Sequence, residues 1–210
     1  MLKPKIAALP KRYRTNLINS LSGFKSGNLI GTISPDGQEN LAIFTSVVHL
    51  GANPALMGFI MRPVSVARHT YENIISTGSY TINHIASSFY KKAYQTAARY
   101  DRERSEFSET GLTPFYSENI KAPYVKESKV KIGLSFVEKL EIKANGTQMI
   151  IGAIEEVLVE SELILPDGYL DLEKADTVAV SCLDGYHRTE QIARLTYAKP
   201  DLEPQKIGKT

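Results

Sequence analysis

The sequence predicts an antiparallel β-barrel, closed or partly closed, with a few inserted helices. Short apolar segments with strand character recur along the chain and are separated by turn residues. Asn145-Gly146 stands between two long apolar runs, and this dipeptide is the strongest short signal for a hairpin. Strands joined by turns favour a barrel over a parallel sheet, because parallel neighbours need a long crossover between them.

The composition is that of an ordinary globular protein with one large domain or at most two small ones. The chain has 210 residues, of which 42% are hydrophobic and 23% charged, and its formal net charge is +2. A chain of this length buries roughly 70% of the surface that it exposes when unfolded. We expect a globular part at residues 11–199, followed by a C-terminal tail at residues 200–210 in which Pro, Lys, Glu and Gln replace the apolar pattern.

Charge and cysteine content restrict the compartment and the partners. Lys and Arg are scattered, so no nucleic-acid surface and no anionic-membrane surface is predicted. The single cysteine, Cys182, excludes an intrachain disulfide. No apolar run has the length of a signal peptide or a membrane span. We therefore expect a soluble, cytoplasmic protein.

The first half of the chain is predicted to hold three strands and a helix. Residues 28–34 form an apolar run that ends at a Pro-Asp-Gly turn. Residues 40–50 and 55–61 continue as strands. Between residues 65 and 78 the apolar positions recur at helical spacing, Ser65 can cap the start and Gly78 suits the end.

The second half is predicted to return to strands after one more helix. Residues 79–85 alternate like a half-buried strand, and residues 87–107 have a helical pattern. The hairpin at Asn145-Gly146 joins long strands at residues 132–143 and 148–160. Residues 177–183 and 191–197 are the last predicted strands.

Polar side chains interrupt the strand at residues 40–50, and they are the first candidates for a binding site. Asn40, Thr45 and Ser46 stand in an otherwise apolar run. A buried polar group without a partner costs about 1–3 kcal/mol, so either the protein supplies the partners or a ligand docks there. The start of the helix that follows would attract phosphate through its unpaired N–H groups, with Arg62, Arg68 or His69 adding charge.

Other common sites are not indicated. The sequence contains neither G-x-G-x-x-G nor G-x-x-x-x-G-K-[ST], which argues against a Rossmann or P-loop site. None of the four histidines forms the i, i+4 pair of a helical zinc site, so no metal site is predicted. Cys182 lies in an apolar strand and reads as an inert core residue.

Several short motifs in order resemble one family. They are DGQENLAIFTS, ANPALMGF, RHTYENI and GSYTINH, followed by IIGAIEEVLV and LDGYHR. Together they resemble the flavin reductase-like proteins with the FMN-binding split barrel, over residues from about 23 to 188. The sequence departs from the family pattern at Ile43, where Pro is usual, and before Thr70, where the family has Lys-Asp.

This resemblance implies a Greek-key split barrel that binds FMN, or FAD, and takes electrons from NAD(P)H. It implies a homodimer with flavin sites near the subunit interface, and oxygen, a free acceptor or a partner monooxygenase as the electron acceptor. Because the cofactor carries the chemistry, no catalytic residue is assigned. The cofactor-binding residues that it implies are Asn40, Phe44, Thr45, Ser46, Arg62, His69 and Thr70.

Alternative interpretations remain open from the sequence. One is an activity similar to pyridoxamine-phosphate oxidase, another is a non-catalytic FMN store or sensor, and a third is a dimer module without a ligand. Asn40 has a simpler reading as a hairpin residue, and Thr45 and Ser46 as strand residues bonded to neighbouring backbone. The sequence does not choose between FMN and FAD or between NADH and NADPH. Residues 101–131 read equally as a lid and as an interface arm.

Overall fold

The structure, a computed structural model, describes residues 1–208. The strands are β1 (Lys25–Ser26), β2 (Asn28–Ile33), β3 (Glu39–Phe44), β4 (Val48–Ala52), β5 (Ala55–Met61), β6 (Ser79–His84), β7 (Pro114–Phe115), β8 (Tyr124–Val125), β9 (Val130–Ile142), β10 (Thr147–Val159), β11 (Ala179–Ser181), β12 (Gly185–His187), β13 (Arg194–Leu195) and β14 (Lys206–Ile207). The helices are α1 (Lys3–Ala7), α2 (Lys11–Ser20), α3 (His69–Thr77), α4 (Tyr90–Gln95) and α5 (Glu106–Thr110), with a 3₁₀ turn at Ser161–Leu163. None of these helices is long and apolar enough to cross a membrane.

Seven strands form one antiparallel sheet that curls into a barrel, as predicted. The strand order is β3-β2-β6-β9-β10-β5-β4, so β3 and β4 lie at opposite edges. Yet only residues 45–47 separate the two strands. Because four residue steps span at most about 14 Å, the two edges must come close together. We call residues 45–47 the seam of the barrel.

A side chain extends the sheet at the seam. The hydroxyl of Ser46 donates to the carbonyl oxygen of Ile60 and accepts from the amide of the same residue, each at 3.1 Å. Ile60 belongs to β5, which pairs with β4 from Gly58 towards Ala55. Ser46 therefore continues the β4–β5 ladder with its side chain and holds the seam against β5.

Apolar residues on the two faces of the sheet form two separate cores. One core fills the barrel and reaches α3, and it consists of Ile30, Phe59, Met61, Ile74, Tyr80, Ile82, Ile132, Leu134 and Ile150. The other covers the outer side of β2 and β3 with residues of α4 and α5, including Leu29, Leu41 and Phe107. Neighbouring residues of β2, Leu29 and Ile30, belong to different cores because successive side chains of a strand point to opposite faces.

Two predicted helices differ from the observed ones. The helix predicted from residue 65 begins at His69, and the Glu72 carboxylate reaches back to the amide of Arg68 at 3.0 Å. The helix ends at Thr77, followed by Gly78 as predicted, and the φ of 70° at Gly78 forms a left-handed cap. The helix predicted at residues 87–107 is broken into α4 and α5, because Ser105 caps a new helix by accepting from the amide of Phe107.

The long hairpin is confirmed, and the chain ends contain structure that the pattern did not show. β9 and β10 pair over almost their whole length, with Gly146 at φ 71° in the turn. Helices α1 and α2 are not among the predicted elements, and they carry no buried residue. The last predicted strand is reduced to β13, which pairs with β14 inside the predicted tail. The last two residues of that tail, 209 and 210, lie outside the described residues.

Candidate functional site

The strand predicted at residues 40–50 is interrupted: β3 ends at Phe44, and the predicted site residues Thr45 and Ser46 lie in the seam. Phe44 packs edge-on against Phe59, with ring centroids 4.9 Å apart, and so faces the barrel core. Ser46 is engaged with Ile60. The hydroxyl of Thr45 forms no hydrogen bond within residues 1–208 and is not fully buried. Thr45 is therefore the seam hydroxyl that can bind an external group.

Asn40 is the centre of a buried polar network that joins β2, β3 and α3. Its side-chain nitrogen donates to the hydroxyls of Thr32 at 3.2 Å and Thr70 at 3.0 Å. Asn73 donates to the same Thr32 hydroxyl at 3.2 Å. These side chains are at most 7% exposed. The network brings together two predicted site residues, Asn40 and Thr70, and gives each of them a partner inside the protein.

One atom of this network has no partner. The side-chain oxygen of Asn73 is buried and accepts no hydrogen bond from the described residues. Asn73 also lines a cleft of about 10 Å³, together with Ser34, Gln38, Glu39, Asn40, His69, Arg102 and Arg104. A space of this volume holds about one water molecule. The cleft beside the network therefore accepts a water but not a flavin ring.

The start of α3 supplies a positive surface next to this cleft. His69 is the first helical residue, and the first N–H groups of a helix lack partners within it. Arg62 is exposed and belongs to no ion pair among residues 1–208. It lies two positions after Ile60, so the Ser46–Ile60 contact places the seam near Arg62. This donor set fits an anionic phosphate.

Residues that the sequence did not single out also border the cleft. Arg102 forms an ion pair with Glu72 of α3, and Arg104 forms one with Glu109 at 2.6 Å. Glu106 is not part of the cleft lining, but its carboxylate accepts a hydrogen bond from the amide of Leu41, the residue after Asn40, at 2.9 Å, and the residue is only 8% exposed. Burial raises the pKa of Glu106. Two of these contacts bridge elements that are far apart in the chain, Arg102–Glu72 across 30 positions and Glu106–Leu41 across 65, so the local pattern carried no signal for them.

Two further features lie apart from the predicted residues. One is an open groove of about 560 Å³, which contains none of the predicted site residues. It is lined by Phe115, Lys126, Glu127, Ser128, Lys129, Lys131 and residues 157–160. His84 at the end of β6 is largely enclosed, and burial lowers its pKa to about 4. Within residues 1–208, no group of three or more His, Cys, Asp or Glu side chains is placed to hold a metal ion.

Known proteins share both the sequence pattern and the fold. Residues 21–185 match the family model described as flavin reductase like domain. A solved structure from Shewanella frigidimarina NCIMB 400 is described, as a provisional assignment, as a flavin reductase with a split barrel domain. It is 52% identical to this chain with a TM-score of 0.91, and the match covers 94% of this chain and 98% of that one.

Two more distant matches are of different kinds. Nitrilotriacetate monooxygenase component B from Bacillus cereus has the same fold, with a TM-score of 0.82, 19% identity, and coverage of 93% of this chain and 98% of that chain. A protein of Aquifex aeolicus (strain VF5), whose name gives no function, is 31% identical over 103 residues. That match covers 48% of this chain and 53% of the relative, so this chain spans about half the length of the curated relative.

The family match extends over most of the chain and agrees with the observed antiparallel barrel. It includes the seam, the buried network around Asn40 and the start of α3. The resemblance predicted from the motifs is therefore confirmed, and the chain belongs to the flavin reductase-like domain family, a family of flavin-related oxidoreductases with the split-barrel fold.

Proposed function

We propose that this protein is an NAD(P)H:flavin oxidoreductase that binds FMN, or FAD, along the seam and the start of α3. The observation that carries this proposal is the donor set at one end of the barrel. It combines the Thr45 hydroxyl, the exposed guanidinium of Arg62 and the N-terminal N–H groups of α3. Hydroxyl, cation and helix start together match the oxygen-rich ribityl phosphate of a flavin.

Each predicted site residue has a distinct part in this proposal. Arg62, His69 and the helix start bind the phosphate, and Thr45 binds ribityl or phosphate oxygens. Ser46 keeps the seam in place through Ile60. Asn40 and Thr70 fix the strand relative to α3, and Phe44 supports the strand from the barrel core.

Little acid–base machinery is needed for this activity. A bound flavin would supply the redox chemistry, with NAD(P)H as the hydride donor and oxygen, a free acceptor or a partner monooxygenase as the electron acceptor. The residues of this chain bind and orient the flavin and exclude water around it. No residue is assigned as catalytic, and a triad is not required.

We also propose that two chains form a homodimer that completes the flavin site. Phe59, Met61 and Ile150 lie in the barrel core, so Gly58, Ile60 and Met149 of the same strands point outwards. A Cβ on Gly58 would lie 3.0 Å from Leu50 and 3.1 Å from Met149, which places both side chains on the outer face. We call this the outer face, and its apolar residues are Val48, Leu50, Ile60, Leu140, Ile142 and Met149.

The outer face supports a second copy as its partner because it begins next to the seam. Val48 and Leu50 are 42% and 40% exposed, and Val48 is two residues from Ser46. Leu140 is 48% exposed on the neighbouring part of the face. The cleft in one chain is too small for a flavin ring. A second chain packed on the outer face would cover the seam and enclose the ring.

Coupling to a monooxygenase is supported only by the fold. Nitrilotriacetate monooxygenase component B, by its name, works as a part of a monooxygenase system and shares the barrel. We propose the same class of acceptor for this chain, with oxygen or a free acceptor as the other options.

Absorbance spectroscopy of the purified protein tests the proposed function. FMN is added, the protein is desalted, and NADH and then NADPH are added without oxygen. Retention of the flavin band and its bleaching by one nucleotide support the proposal and choose the donor. Retained flavin that neither nucleotide bleaches would indicate an FMN store or sensor instead. A colourless protein that does not turn over added flavin would overturn the proposal.

A further inference from the structure

Residues 101–116 wrap around the edge of the barrel beside the candidate site, and we call them the strap. Among the described residues, the strap makes one polar side-chain contact with α3 and two with β3. Arg102 forms an ion pair with Glu72 of α3. The Glu106 carboxylate accepts a hydrogen bond from the amide of Leu41, and the Tyr116 hydroxyl donates one to the carboxylate of Glu39 at 2.6 Å. The strap therefore connects the two elements that carry the candidate phosphate site.

The Glu106 contact is made at the open edge of β3. β3 is the first strand of the sheet and has a strand neighbour, β2, on one side only. Leu41 is 0% exposed, so water does not reach its amide as it would at an exposed edge. A buried N–H without a partner costs about 1–3 kcal/mol, and the Glu106 carboxylate removes this cost.

The strap holds this carboxylate firmly at the strand. Phe107, the next residue, is 1% exposed and belongs to the same apolar core as Leu41. Ser105, the preceding residue, caps α5 through the amide of Phe107. Glu106 is thus fixed on both sides by packing and by a helix cap, and its carboxylate has little freedom to leave Leu41.

We propose that Glu106 is a positioning residue that sets β3 in register with the start of α3 for flavin binding. This inference rests on the proposed function. Asn40 ties the strand to Thr70 on α3, and the very next amide is held by Glu106 from the open edge. Because β3 runs from these two anchors directly into Thr45, a shift of the strand moves the seam relative to Arg62 and His69.

Three variants of the full-length protein test the proposal. Glu106→Ala removes the acceptor, and Glu106→Gln keeps an oxygen that can accept the Leu41 amide. Glu118→Ala changes an exposed acidic residue just after the strap, for which residues 1–208 provide no hydrogen bond or ion pair. We measure the FMN dissociation constant by titration and the exchange rate of the Leu41 amide. Glu106→Ala is expected to weaken FMN binding roughly tenfold and to speed up that exchange, as loss of one buried hydrogen bond implies.

Controls separate positioning from loss of stability. Glu106→Gln should restore most of the affinity, and Glu118→Ala should leave it unchanged. Leu163→Ala destabilises a separate cluster around Val130 and Ala175 and should lower the unfolding midpoint without weakening FMN. If Glu106→Ala does not fold, Glu106→Asp tests the same contact, because its shorter side chain withdraws the carboxylate from Leu41.

The outcomes distinguish this inference from the proposed function. If the wild-type protein binds no FMN, the proposed function fails and the inference fails with it. If the wild type binds FMN and Glu106→Ala binds it equally well, the inference alone is overturned. Weaker binding in Glu106→Ala and in Leu163→Ala alike would also overturn it, because the effect would then follow stability and not the position of β3.

Discussion

The side-chain nitrogen of Asn40 donates to the hydroxyl of Thr70 at 3.0 Å, and this bond joins strand β3 to the first turn of α3. The two residues are 30 positions apart in the chain. Both are buried, and both share Thr32 and Asn73 as nearby polar residues. The strand that leads into the seam and the helix start that offers N–H groups are therefore one connected unit.

Removing Asn40 should loosen this unit. We expect Asn40→Ala to lower the free energy of unfolding by about 1–3 kcal/mol, because the hydroxyls of Thr32 and Thr70 lose a buried partner. FMN affinity should fall as well. Urea unfolding measures the loss as a lower midpoint at an unchanged slope. Asn119→Ala is the control, since Asn119 is exposed and contacts Glu156 on the surface. Equal stability of Asn40→Ala and the wild type would contradict the importance of the network.

Arg62 should distinguish flavins with a phosphate from flavins without one. We expect Arg62→Ala to weaken FMN binding roughly tenfold, because a charge-assisted bond to phosphate is lost. Binding of riboflavin, which lacks the phosphate, should be unchanged. Fluorescence titration with both compounds measures the two effects.

Arg12→Ala is the matched control for this prediction. Arg12 is an exposed arginine on α2, a helix without buried residues, and its loss should affect neither ligand. An equal loss of FMN and riboflavin affinity in Arg62→Ala would show that Arg62 contacts the flavin ring or supports the fold, and does not bind the phosphate. No loss of FMN affinity would remove it from the site.

Local signals made much of the fold predictable. Asn145-Gly146 and the apolar runs beside it define β9 and β10, whose observed ends differ from the predicted ones by one or two residues. The sequence predicted the start of α3 at residue 65 and not at His69, because Arg68 is not a typical cap residue. The carboxylate of Glu72, inside the helix, accepts the hydrogen bond from the Arg68 amide instead. Local pattern cannot show a cap that depends on a side chain reaching back.

The site was predictable only in part, because most of its contacts are distant in sequence. The polar side chains of residues 40–46 and the free N–H groups at the start of α3 could be recognised from the sequence as groups that need hydrogen-bond partners. Their partners were not visible: Glu106 meets Leu41 across 65 positions, and Ser46 is bonded to the backbone of Ile60. Residues 101–116 belong to the segment 101–131, for which the sequence left a lid and an interface arm open, and they contact both halves of the candidate site.

A charge on the outer face should prevent the proposed dimer. We expect Leu140→Glu to shift the protein from dimer to monomer in sedimentation at micromolar concentration, because burying an unpaired carboxylate in an interface is costly. FMN affinity should fall together with dimer formation if the partner encloses the ring. Ile75→Glu is the control, since Ile75 on α3 is 43% exposed, close to the 48% of Leu140, and lies off the outer face. A wild-type protein that sediments as a monomer would contradict this prediction directly.

His84 should make the protein less stable in mild acid. Burial lowers its pKa from 6.5 to about 4, so between these values the unfolded chain binds up to one proton more than the folded chain. Stability therefore rises with pH across this window and is lost as pH falls through it. We expect His84→Gln to remove this dependence, so that the stability advantage of the wild type over the variant shrinks by up to about 1.4 kcal/mol per pH unit as the pH falls from 6.5 to 4.

Comparing the two proteins cancels the opposite contribution of Glu106, whose pKa is raised by burial. Urea unfolding at several pH values measures the difference, with His49→Gln, at an exposed histidine of β4, as the matched control. A difference between the wild type and His84→Gln that stays constant from pH 7 to 4 would show that His84 is not neutral in the folded protein across this range.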